Sequence, residues 1–162
     1  MSVSNNALKA PIKHFLLPGE IFVKDRESVI TTVLGSCIAV CIWDQYLHKG
    51  GMNHFKLPFW NGEGIPSPKY GNIAITALVE AMVAMGCQQT NLKAKVFGGG
   101  AVLQSGDGML NVGERNIQVA YEILEQIKVP IVAVNVGGDL SRKIIFNTND
   151  GSVMMKKAKA SS

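Results

Sequence analysis

Cysteine, long apolar runs and charge are all scarce in this chain of 162 residues. Its three cysteines make an odd count, which argues against a disulfide framework and favours a reducing, cytoplasmic compartment. No stretch approaches the roughly 18 uninterrupted apolar residues of a membrane span, and the N-terminus is unlike a secretory signal. Only 17% of residues are charged, and no basic stripe interleaved with aromatics is present, so nucleic-acid binding is not expected.

The apolar pattern predicts an α+β fold in a single domain spanning residues 1–162, with mixed, sandwich-like β-sheets flanked by two long helices. Apolar residues at helical spacing predict helices over 72–85 and 111–128, the second capped by Asn111 with Glu114 as its reciprocal partner. Residues 1–16 and 156–162 show no pattern, so we expect a loose lead-in and a flexible tail. Short β-branched and apolar runs predict strands at 20–23, 28–34, 37–43, 51–57, 94–97, 131–136, 142–146 and 152–155. Those at 37–43 and 131–136 are expected to be buried.

One stretch, from Thr31 to Pro58, carries residues suited to cysteine chemistry. Cys37 follows a Gly-Ser turn, and His54 lies seventeen positions later, on the other strand of a predicted hairpin. A thiol attacks as the thiolate, a nearby imidazole takes its proton, and a polar group behind the imidazole orients it. If the hairpin closes around residues 45–47, Cys37 lies roughly opposite positions 54–57.

Two further parts of such a site have candidates close by. Thr31 and Thr32 lie on the preceding strand with opposite facing, so only one of them can orient His54. The turn before Cys37 is expected to direct the backbone N–H groups of Ser36 and Cys37 at a carbonyl oxygen, as an oxyanion hole.

Less specific readings of these residues remain open at this point. An unpaired cysteine or a lone histidine in an apolar strand is more often a packed core residue than a catalytic one, and Cys87 fits that description. A zinc site built from Cys37, Cys41, His48 and His54 has poor ligand spacing. The glycine-rich run at 98–108 lacks the Gly-Lys-Ser/Thr ending of a phosphate-binding loop, so we expect it to turn sharply or to let backbone pass close to the site.

Two motifs, LGSCIAVCIWD around Cys37 and GGMNHFKLP around His54, resemble the CheD family of chemoreceptor glutamine deamidases from bacterial chemotaxis. The resemblance extends from about Leu17 to Met155, through KYGNIAITALVEAM, KVFGGGAVL, NVGERN and VNVGGDLSRK. It implies that Cys37 is the nucleophile, His54 the general base and acid, and Thr31 the residue that orients His54. It also implies a fold similar to the catalytic domains of cysteine-dependent deamidating toxins.

The resemblance further implies the substrate and the partners. The substrates would be glutamines on the cytoplasmic helices of chemoreceptors, and no cofactor or metal would be needed. Some members of the family are also credited with receptor methylester hydrolysis. A CheC-type phosphatase would be a partner, so an alternative reading is a regulatory module that acts mainly by docking on it. A cysteine hydrolase acting on another amide is a third, weaker reading. Seven residues belong to the resemblance without an assigned role: Gly98, Gly99, Asn111, Asn116, Gly137, Gly138 and Arg142.

Overall fold

The computed structural model of the chain describes residues 9–101 and 111–159. This part contains two helices, α1 (Gly71–Ala84) and α2 (Val112–Gln126), and a short 3₁₀ turn at Gln89–Asn91. The strands within it are β1 Ile12–Phe15, β2 Ile21–Val23, β3 Ser28–Leu34, β4 Ile38–Asp44, β5 Lys49–Asn53, β6 Leu92–Gly98, β7 Ile131–Val136, β8 Leu140–Asn147 and β9 Val153–Lys159.

These strands form two mixed sheets, which confirms the predicted fold class of an α+β protein with two helices. The first sheet has the order β1-β3-β8-β9, and the second has the order β2-β5-β4-β6-β7. One apolar cluster joins the facing sides of the two sheets, with Ile30 and Phe146 from the first and Ala39 and Met52 from the second. The other cluster lies between the second sheet and both helices. The second sheet is therefore the middle layer of three.

Strand β4 lies at the centre of this middle layer, which explains its apolar sequence. Ile38, Val40 and Ile42 pack toward the helices, whereas Ala39 and Cys41 pack toward the first sheet. All five are at most 1% exposed, as expected for a strand covered on both faces. The prediction of burial for this strand is confirmed.

The start of α2 is fixed by the predicted cap. Asn111 Oδ1 accepts the Glu114 N–H at 2.9 Å, and Glu114 Oε1 accepts from Asn111 Nδ2 at 3.2 Å. This pairing satisfies one of the backbone donors that an α-helix leaves free at its N-terminus. It places the first turn of α2 beside the glycine segment that ends β6.

Three expectations about order and burial are wrong. The lead-in contains β1, which pairs in parallel with β3, and β9 continues through the expected tail as far as Lys159. Strand β7 is the last strand of its sheet and not a buried one, since Val132 and Val134 are 51% and 50% exposed. All three depend on which strands pair at the edges of the sheets, and local apolar patterns do not encode that pairing. Within the described ranges, no helix is long and apolar enough to cross a membrane.

Candidate active site

Strand register places Cys37 and His54 on the same face of the middle sheet. Ile38 and Phe55 exchange backbone hydrogen bonds at 3.0 and 2.9 Å. Continuing that register sets Ala39 opposite His54 and Cys37 opposite Lys56, within the predicted range. Cys37 and His54 are therefore diagonal neighbours, at positions that lie about 7–8 Å apart between backbones on adjacent antiparallel strands. Both point toward the first sheet.

The first sheet supplies the group that orients the imidazole. Thr32 Oγ1 lies 2.7 Å from His54 Nδ1 and also donates to the Leu16 carbonyl at 2.8 Å. Both Thr32 and His54 are buried, at 0% and 2% exposure, so neither group has water to replace these bonds.

These two bonds together select one tautomer of His54. The single hydroxyl proton of Thr32 is given to the Leu16 carbonyl, which can only accept. The hydroxyl oxygen therefore accepts from His54, and Nδ1 carries the proton. Nε2 is left with its lone pair, and it has no hydrogen-bond partner within the described residues. The ring thus has a free base nitrogen in the layer that contains Cys37.

The contact with His54 is made by Thr32 and not by Thr31, the residue that the resemblance favoured. Alternate residues of β3 point between the sheets, with Ile30 and Leu34 fully buried on either side of Thr32. Thr31 points to the opposite face, in register with Phe15, which is 53% exposed. Sequence reasoning could not choose between the threonines because Val29 and Val33 make the outer face of β3 apolar as well.

The turn that carries Cys37 is held by the glycines after β6. Gly100 N–H donates to the Gly35 carbonyl, and Gly99 N–H donates to the Cys37 carbonyl, both at 2.9 Å. Gly98 has a φ of +110°, and a Cβ there would collide with the Cys37 carbonyl. This confirms the expectation that these glycines let backbone pass close to the site. The rest of the glycine-rich run, 102–108, lies outside the described residues.

The carbonyls of this turn are occupied, whereas two of its N–H groups have no acceptor among the residues that the structure describes. Across residues 9–101 and 111–159, neither the Ser36 nor the Cys37 N–H donates to a protein acceptor. Both belong to the strand-to-strand turn that carries the thiol, and their expected role as oxyanion donors stays a prediction.

Besides Gly98 and Gly99, two further residues of the unassigned set have structural partners around this turn. The Arg142 guanidinium, 3% exposed, donates to the Gly137 carbonyl at 2.6 Å, to Asn135 Oδ1 at 2.9 Å, and at 3.4 Å to the Gly98 carbonyl. It therefore ties β8 to the end of β6. Asn116 is fully buried on α2 and reaches the segments of both Cys37 and His54. No local pattern separates either residue from an ordinary surface arginine or helix asparagine, because their partners are distant in sequence.

Burial makes the resting pair neutral. Desolvation raises the pKa of the Cys37 thiol, although the nearby Lys56 ammonium acts in the lowering direction. Desolvation, and secondarily Lys56, lowers the pKa of His54 to about 4. At neutral pH the site therefore holds a thiol and a neutral imidazole rather than a thiolate–imidazolium pair. Cys87, 3% exposed, is packed in the core, as predicted.

The four residues considered for zinc do not form a cluster. His48 lies in the β4–β5 turn, at the opposite end of β4 from Cys37, and its Nδ1 lies 2.8 Å from the Asn149 carbonyl. Among the residues with described positions, no three His, Cys, Asp or Glu side chains group closely enough to hold a metal ion.

The family model that matches this chain and two of its relatives carry the CheD name. Residues 57–157 match the family model described as CheD chemotactic sensory transduction. A "Probable chemoreceptor glutamine deamidase CheD" from Trichlorobacter lovleyi is 50% identical over 147 residues, covering 91% of each chain. One of the same name from Sulfurimonas denitrificans is 50% identical over 146 residues, covering 89% of this chain and 93% of its own. An alignment of that length within 162 residues spans Cys37 and His54, whereas the family model begins after both.

Among solved structures, a Bacillus licheniformis hypothetical protein, YfiH, aligns with a TM-score of 0.48 at 16% identity, over 72% of this chain and 50% of that one. This similarity is too low to bear on function.

Proposed function

Since the chain belongs to the CheD family of chemotactic sensory transduction proteins, we propose that it deamidates glutamine side chains of chemoreceptors to glutamate. Cys37 is the nucleophile, His54 the general base and acid, and Thr32 the residue that orients His54. The observation that carries the proposal is the Thr32–His54 bond, because it leaves Nε2 as a free base on the face that carries Cys37. The relatives' names supply the substrate.

The first half of the reaction forms a thioester. Nε2 of His54 takes the Cys37 proton as Sγ attacks the glutamine side-chain carbonyl carbon. The charge that develops on the oxygen is held by the Ser36 and Cys37 N–H groups. Nε2–H then gives its proton to the amide nitrogen, the C–N bond breaks, and ammonia leaves. The Nδ1–H···Oγ bond to Thr32 strengthens while the ring is cationic.

The second half releases glutamate by the same groups. Water attacks the thioester carbon as Nε2 takes one of its protons. The C–S bond breaks, and Nε2 returns that proton to Sγ. Every proton transfer involves Nε2, so one fixed tautomer serves both halves.

The site's electrostatics favour proton transfer during attack over a preformed ion pair. With the thiol pKa raised and the His54 pKa lowered to about 4, the resting thiol keeps its proton near neutral pH. Attack and proton transfer to Nε2 are therefore coupled. Lys56, opposite Cys37 in the strand register, favours the thiolate as it forms.

Some finer assignments rest on the family resemblance alone. They are hydrolysis of receptor methylesters, which the same acyl chemistry would allow, action in the cytoplasm, and docking on a CheC-type phosphatase. The docking role predicts that a Cys37→Ala variant loses deamidation and still binds the purified phosphatase.

The proposal is tested by peptide mass spectrometry of chemoreceptor cytoplasmic fragments incubated with wild type, Cys37→Ala or His54→Gln. The expected result is a glutamine-to-glutamate mass gain at defined sites with wild type only. Gain with Cys37→Ala would remove the nucleophile assignment. No gain with any of several receptors would remove the deamidase function.

A further inference from the structure

The side-chain amide of Asn116 joins the two segments that carry Cys37 and His54. Its Nδ2 donates to the Ser36 carbonyl at 3.1 Å and to the Lys56 carbonyl at 3.0 Å. Ser36 directly precedes Cys37, and Lys56 lies two residues after His54. One buried NH₂ group thus binds both sides of the candidate pair.

This contact lies where the sheet stops holding the two segments together. Ile38 and Phe55 exchange the last backbone bonds between them within the described residues. Beyond that pair the second segment turns away, and Lys56 and Leu57 donate instead to the Lys69 carbonyl at 2.9 and 3.0 Å. Asn116 therefore links the two segments just beyond the point where backbone hydrogen bonds between them end.

The orientation of this amide is determined by its partners. If the group were flipped, its oxygen would face two carbonyl oxygens, so both NH₂ donors must point at Ser36 and Lys56. Asn116 is 0% exposed, and its Oδ1 has no partner within the described residues. A buried acceptor without a partner is destabilising, so the two donor contacts must compensate for the unsatisfied oxygen.

The helix that carries Asn116 is itself fixed against the site. Gly113, one turn earlier, lies so close to the glycine segment that a Cβ would come within 2.7 Å of the Gly99 carbonyl. The Asn111 cap fixes the first turn of the same helix. The donor is therefore presented from a rigid element and not from a loop.

From these contacts we infer that Asn116 is a positioning residue that sets the separation of Cys37 from His54. The inference rests on the proposed roles of that pair. It gives the asparagine of the NVGERN motif a function at the site, through backbone carbonyls and without touching substrate. Misplacement of reacting groups by about 1 Å costs on the order of 100-fold in rate, so the hydrogen bonds of Asn116 to both segments should affect the rate directly.

The test replaces Asn116 by leucine, which keeps the branching at Cγ and removes both donors. We expect kcat for a glutamine-containing receptor peptide to fall about 10- to 100-fold with KM within about twofold. The control is Thr148→Val, which removes a buried hydroxyl that accepts the Ser28 N–H at 2.8 Å, at the first residue of β3. It should lower the melting temperature to a similar degree and leave kcat unchanged. Asn116→Ser, which keeps one donor, replaces the leucine variant if that variant does not fold.

A second readout separates this inference from the deamidase proposal. Loosening the turn exposes Sγ, so the pH midpoint for iodoacetamide labelling of Cys37 should fall toward that of an ordinary thiol, while Cys41 and Cys87 stay protected. If wild type deamidates nothing, the proposed function fails and this midpoint alone decides the role of Asn116. An unchanged midpoint, or a folded Asn116→Leu variant with wild-type kcat, overturns the inference.

Discussion

Replacing Thr32 by valine should remove the hydroxyl that orients His54 and leave the rest of the site in place. Valine keeps the shape of threonine, so the buried volume between the sheets is preserved. The change leaves His54 Nδ1–H without an acceptor and the Leu16 carbonyl without a donor, in a place with no exposure. Each buried group without a partner costs about 1–3 kcal/mol, so the loss of both bonds should lower the free energy of unfolding by about 2–6 kcal/mol.

The effect on catalysis follows from the charge on His54. In the transition state the ring is cationic, and a hydrogen bond from a charged donor contributes about 1.5–3 kcal/mol. At about 1.4 kcal/mol per factor of ten, kcat should fall about 10- to 150-fold. The assay is single-turnover deamidation of a receptor peptide, with folding checked by thermal unfolding. Thr32→Ser keeps the hydroxyl and should stay within a few-fold of wild type.

Thr31→Val is the matched control, because Thr31 lies on the opposite face of the same strand. It should alter kcat by no more than about twofold, as surface substitutions usually do. A large loss in Thr31→Val together with full activity in Thr32→Val would refute the orientation derived for His54.

Three further predictions follow from the same geometry. The fold lowers the pKa of His54 from 6.5 to about 4, so the neutral ring contributes about 3 kcal/mol to the free energy of unfolding above pH 6.5, and this contribution is lost as the pH falls to 4. Urea titrations of wild type should show this loss, and His54→Gln should lack it. Gly98→Ala should destabilise the protein by more than about 1 kcal/mol and reduce kcat, because its Cβ would meet the Cys37 carbonyl. The control is Gly62→Ala, at a similar φ of +96° in open space, which should leave kcat intact. Equal loss of kcat in both variants would count against the close approach at Gly98. Lys56→Gln should raise the pKa of both Cys37 and His54, since the ammonium lowers each; labelling rates and histidine NMR shifts measure the two, and unchanged values would place Lys56 outside the site.

Much of the site could be predicted because its parts lie close in sequence. The hairpin that carries Cys37 and His54 is local, so turn position and strand spacing were enough to place Cys37 opposite residues 54–57. The α2 cap was predictable for the same reason, since Asn111 and Glu114 are three residues apart.

The features that the sequence did not predict depend on how segments far apart in the chain pack against each other. Both faces of β3 are apolar, and only the packing of the first sheet on the second decides that Thr32 points inward. Asn116 lies 80 residues from Ser36 and 60 from Lys56, so no local pattern relates it to the site. Strand β1 was missed because it is a four-residue edge strand, IKHF, in which only the two end residues are apolar and none is buried.

The most direct test of the account is to detect the thioester on Cys37. Wild type mixed with a glutamine-containing receptor peptide is quenched in acid within the first turnover, and the protein is measured by intact-mass and peptide-mapping mass spectrometry. The account predicts an adduct equal to the peptide minus ammonia, located on Cys37 and absent from Cys37→Ala. Formation of glutamate product without any adduct on Cys37, and with full activity in Cys37→Ala, would contradict it.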